Sequence, residues 1–95
     1  MCWRTAIASV LLLPLLGCGR KATLEDCQMV VDRNVEVEMK RQKVTDVAQI
    51  EKRQSEIRKE LEPLVKECVG KRVTDSMMEC VKKADTSAAI DECMR

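Results

Sequence analysis

The side chains with the most chemical reach in this sequence carry sulfur. Six cysteines and six methionines stand in a chain of 95 residues that has no histidine. Three short runs bring the two types together: Cys27-Gln28-Met29, Met77-Met78-Glu79-Cys80 and Cys93-Met94. Thiolate beside thioether is a ligand set for Cu(I), so soft-metal binding or thiol redox chemistry is one reading of these runs. The other reading is structural. Cys27, Cys68, Cys80 and Cys93 form an even set that pairs into two disulfides in an oxidising compartment, and methionine fills irregular gaps in a core without aromatics. Disulfides consume the thiolates a metal would need, so the structural reading leads and no metal or other cofactor is expected. Zinc is disfavoured further by the lack of histidine and of any C-x-x-C.

Catalytic sets are missing as well. No histidine serves as a base for serine or cysteine, no Gly-rich loop cradles phosphate, and the acids alternate with bases as they do on solvated helix faces. Glu51, Lys52 and Arg53, and Glu56 with Lys59 and Glu60, are examples. The expectation is a protein that is not an enzyme. Nucleic acid is also excluded as a partner: beyond residue 17 the chain has 16 basic and 16 acidic residues, interspersed, and no aromatic side chain on which a base could stack.

Cys18 stands apart from the other cysteines because of what precedes it. Residues 1–17 run from Arg4, their one charged side chain, through an apolar stretch from Ala6 to Leu16 that is shorter than the roughly 20 residues of a spanning helix. They have the layout of an export signal. Its end, Leu15-Leu16-Gly17-Cys18, resembles the lipobox of bacterial lipoproteins, with Leu16 as a variant at a position that usually holds a smaller residue. The resemblance implies cleavage after Gly17 and a diacylglyceryl group on the thiol of Cys18. Cys2 then leaves with the signal, and the acyl chains tie the protein to a bacterial envelope membrane. Gly19, where an aspartate would retain such a protein in the inner membrane under the enterobacterial sorting rule, implies the outer membrane.

The elements that position the remaining cysteines follow from caps and periodicity. Residues 18–22 read as a polar, lipidated tether and residues 23–95 as the folded domain. Thr23 caps a first helix with Glu25 and Asp26 in its first turn and Leu24, Cys27, Val30, Val31 and Val35 along one face. Val35-Glu36-Val37-Glu38-Met39 alternates as a strand would, but a lone alternating run has no sheet to join. From Val47 the positions Val47, Ile50, Gln54, Ile57, Leu61, Leu64 and Cys68 repeat with helical spacing in a different phase from the first helix. That slip predicts a break near Val44, Thr45 and Asp46, with one long bent helix as the alternative because no Gly or Pro intervenes. Pro63 kinks or splits the second helix and Gly70 ends it. A third helix opens at Thr74, with Met77, Cys80, Val81 and Ala84 on one face, and a fourth, short one follows Asp85 or Thr86 with Ala89, Ile90 and Cys93.

Sixteen Val, Leu and Ile residues and no Phe in the 78 residues after the signal make a thin core, one that needs staples. The fold class expected is all-α, a small helical bundle or helical hairpin plus two short helices, stapled by two disulfides. Four cysteines allow three pairings. With all four expected at the end of the bundle away from the Val44 turn, Cys27–Cys80 with Cys68–Cys93 is preferred, because interleaved bridges would tie all four helices together.

The segment from Cys68 to Cys93, with eleven residues and then twelve between successive cysteines, resembles the C-terminal motif of small four-cysteine lipoproteins of myxobacteria-like genomes. Thr74, Ala84 and the Thr86-Ser87 turn match it, and Cys27 resembles the first cysteine of that family. The resemblance implies an architecture and no assigned activity. Together these readings point to a non-catalytic interaction or accessory module facing the periplasm, held to the membrane through Cys18 and presenting a surface to an envelope protein partner.

Overall fold

A computed structural model describes residues 19–95. The signal segment 1–17, the lipobox residues Leu15, Leu16 and Gly17, and Cys18 lie outside the described residues. The domain is all-α: α1 (Leu24–Arg41), α2 (Val47–Glu60), α3 (Glu62–Cys68), α4 (Asp75–Lys83) and α5 (Ser87–Cys93), with one two-stranded ribbon of β1 (Arg20–Lys21) and β2 (Arg72–Val73). No helix among the described residues is long and apolar enough to cross a membrane.

Each helix but α3 begins at a side-chain cap. Thr23 Oγ1 accepts from the Asp26 N–H while Asp26 Oδ2 accepts from the Thr23 N–H at 2.8 Å, a reciprocal capping box. Asp46 caps α2, Thr74 caps α4 and Thr86 caps α5. These satisfy amide groups that the first turn of a helix leaves without partners. Where α1 ends, Lys43 takes a left-handed φ of 69°, the conformation usually left to glycine at a helix end, and the Val44 N–H returns to the Met39 carbonyl. The chain therefore breaks into a hairpin with no glycine there, and the single long bent helix is ruled out.

The helix α1 is the central element. It packs against α2 and α3 on one side and α4 and α5 on the other. Two apolar clusters result, one of Ala22, Cys27, Val65, Val73 and Met78, the other of Val37, Val81, Ala84 and Ile90. Burial on two sides explains the alternation at Val35 and Val37: both are buried, within a helix. It also explains why Leu24, expected on the inner face, is 51 % exposed at the helix start, where the bundle no longer covers it.

Pro63 splits the second helix. Leu61 is the joint, and α3 restarts at Glu62 with the proline in its first turn, where its missing N–H costs no hydrogen bond. The restart shifts the phase. Val65 is buried and Leu64 exposed, the reverse of what the unbroken spacing from Val47 predicts.

Residues 20–22, expected within a polar, lipidated tether outside the folded domain, are part of the fold. Arg20 pairs with Val73 and Lys21 with Arg72 in antiparallel register, the Ala22 N–H donates to the Lys71 carbonyl at 2.7 Å, and the Gly70 N–H donates to the Ala22 carbonyl at 2.8 Å. Ala22 and Val73 are both buried in the first cluster. A three-residue extended stretch ahead of Thr23 is too short to read as a strand until its partner is known.

Candidate functional site

Both bridges form, in a pairing other than the interleaved one. Cys27 joins Cys68 and Cys80 joins Cys93, with Cα atoms 6.0 and 5.6 Å apart. The preference for Cys27–Cys80 with Cys68–Cys93 is thus corrected, and hairpin geometry gives the reason. Antiparallel return of α2 and α3 along α1 brings the end of α3 back to the first turns of α1, so Cys68 arrives beside Cys27. The short turn between α4 and α5 sets Cys80 and Cys93 facing each other in the same way. The four cysteines do not share one end of the bundle: Cys27 is in the first cluster with Cys68 packed on it, while Cys93 packs against the second.

All four being oxidised, the described residues hold no free thiol. The methionines beside them pack into the core. Met78 is buried in the first cluster, Met77 lies against it, and Met29 and Met94 touch both clusters. No group of three or more His, Cys, Asp or Glu side chains among the described residues is arranged to hold a metal ion.

The most elaborate polar arrangement is at the N-terminal ribbon, next to the position read as the lipid carrier. Arg20 reaches two helix starts at once. Its Nη1 and Nη2 donate to the two carboxylate oxygens of Asp26 at 2.6 and 3.2 Å, and its Nε donates to Asp75 Oδ1 at 2.9 Å. Asp26 lies at the start of α1 and Asp75 at the start of α4, so one guanidinium fastens strand β1 to both helices. The Arg20 hydrogen bonds, with the Thr23 N–H next in weight, hold the Asp26 carboxyl well below the usual carboxylate range. Arg20 is pushed up in turn by Asp26 first and Asp75 second.

Gly19 completes the lock. Its φ is +84°, and a Cβ at this position would stand 2.4 Å from the Val73 carbonyl oxygen. Only glycine fits such a close approach of two backbones. Position 19, read from sequence as a sorting signal, has a steric demand of its own. The signal that reveals it is the partner strand at Arg72 and Val73, which no local pattern in residues 18–22 discloses.

Elsewhere, polar side chains hold helices together. Asp32 of α1 receives Arg58 in an ion pair with two hydrogen bonds, and its carbonyl accepts from Gln54 Nε2 at 3.0 Å. Gln54, the one polar residue in the apolar spacing of α2, is therefore a partner across the hairpin. Arg33 donates from Nη2 to the Ala84 carbonyl at 2.8 Å and from Nη1 to Glu36 at 2.8 Å, capping the C-terminal end of α4 with a cation.

Set beside known proteins, the sequence matches no family model, no curated protein and no solved structure.

Proposed function

We propose that the chain is a lipid-anchored, non-catalytic accessory module of a bacterial cell envelope, exported by residues 1–17, acylated on Cys18 and facing the periplasm from the outer membrane. The lipobox-like end of the leader supports the anchor, and the resemblance to small four-cysteine lipoproteins supports the architecture. The observation that carries the reading is the rigid attachment of the chain directly after Cys18. Gly19 is closed against Val73, and Arg20 is fastened to Asp26 and Asp75. An acyl group on Cys18 is then coupled to a stapled body with no slack between them. Such a body serves to hold a surface at a fixed height for an envelope protein.

Intact-mass measurement of the protein purified in detergent from a bacterial host tests this. The expected species is heavier than the polypeptide from Cys18 to Arg95 by its acyl chains, and Cys18→Ala should abolish membrane fractionation. A cleaved Cys18→Ala form that stays with membranes would overturn the anchor. Crosslinking in isolated membranes, followed by capture of the protein, is expected to recover one envelope protein in stoichiometric yield.

A further inference from the structure

We infer that the outward face of the ribbon, with Lys21 and Arg72, and the exposed Lys71 in the bend just before β2, seat against the anionic phospholipid headgroups of the membrane that receives the acyl chains. The inference rests on the acylation of Cys18 proposed above. Side chains alternate across a strand, and Ala22 and Val73 are buried, so their neighbours Lys21 and Arg72 face away from the core. The register places these two cations directly opposite each other, a pairing that is unfavourable across two strands unless something neutralises it. No carboxylate among the described residues does so. Asp26 and Asp75, at the helix starts nearest the ribbon, are taken by Arg20 on the other side. Lys71, next in the chain, is exposed and has no ion-pair partner among the described residues either.

Distance makes the anion a membrane. Lys21 is three steps along the chain from Cys18, at most roughly 11 Å when extended. A Debye length at ordinary salt is about 10 Å, so an acyl group in the bilayer keeps these cations within reach of the headgroup charge. Leu24 and Val69, 51 % and 43 % exposed, flank the same ribbon and add apolar contact at its edge. Basic and apolar groups beside an acyl chain are a combination that strengthens lipid anchoring.

The test uses the acylated full-length product, confirmed by intact mass and reconstituted into vesicles of phosphatidylcholine alone or with added phosphatidylglycerol. Lysine acetylation is followed residue by residue by mass spectrometry. Lys21 and Lys71 should react about fivefold or more slowly on the phosphatidylglycerol vesicles at low salt, with the difference lost near roughly 1 M salt, and Lys43 and Lys52 beside the far turn should react alike on both. In Lys21→Glu, which sets opposite charges across the register and so keeps the ribbon paired, Lys71 should lose its protection. Equal rates on both vesicles for acylated protein, or protection of Lys71 that survives Lys21→Glu, would overturn the headgroup contact and leave the anchor standing. Protein recovered without acyl chains would overturn both.

Discussion

Gly19 and Asp26 show how much of this small fold hangs on single positions. A Cβ at residue 19 meets the Val73 carbonyl, and the positive φ is strained for any other L-residue. Gly19→Ala is expected to cost about 1–3 kcal/mol, seen as a lower urea midpoint. Gly19→Asp, the substitution that a sorting experiment would choose first, should destabilise the ribbon at least as much, so relocation of that variant has to be judged beside its melting curve. Asp26 predicts a pH dependence. Its carboxyl titrates lower in the folded chain than in the unfolded one, so its stabilising effect is complete above the unfolded value, near pH 4, and is lost as the pH falls further through the folded value. Urea midpoints between pH 7 and pH 2, read by circular dichroism, should decline below about pH 4 in the wild type. In Asp26→Asn the midpoint should start lower and decline less.

At the scale of elements, the helices were legible because their signals are local. Thr23 and Thr74 cap helices at the starts the sequence placed there, Asp46 caps α2 within the break expected at residues 44–46, Thr86 is one of the two starts offered for the last helix, and Pro63 divides the second helical stretch. What was not legible depends on partners distant in the chain. Residues 20–22 become ordered only against 70–73, Leu64 yields to Val65 only because Pro63 resets the phase, and the cysteine pairing follows from how two hairpins close. The bridges also differ in what they hold. In the chain-entropy picture the Cys27–Cys68 loop, with 41 residues of separation, contributes about 4 kcal/mol and the Cys80–Cys93 loop, with 13, about 3 kcal/mol. The double variant Cys27→Ala/Cys68→Ala should melt lower than Cys80→Ala/Cys93→Ala, the more so because Cys27 is buried and its loss leaves a gap. Mild reductant followed by alkylation and peptide mapping should label exposed Cys80 and its partner before Cys27 and Cys68. Across the hairpin, Asp32→Ala removes the acceptor of Arg58, and a double-mutant cycle with Arg58→Ala should give a coupling of roughly 0.5–1 kcal/mol.

At the scale of the whole molecule, two apolar clusters share one central helix, and each has its own bridge. Native stability of a domain is about 5–15 kcal/mol in total, so two loops of this size are a large part of it. Thorough reduction is therefore expected to abolish the cooperative thermal transition, which circular dichroism with and without reductant would register. The order of the bridges along the chain has a further consequence, for the birth of the protein. The four cysteines join first to second and third to fourth, in closed loops that neither cross nor enclose one another. On the export and acylation proposed above, which take Cys18 out of the count, an oxidant that joins thiols in the order in which they leave an export channel makes both native bonds at the first attempt. The interleaved arrangement would instead require a wrong bond to be broken. Re-oxidation of the reduced chain, stopped at intervals and mapped, should accordingly show Cys80–Cys93 and Cys27–Cys68 accumulating without scrambled forms and without any need for an isomerase.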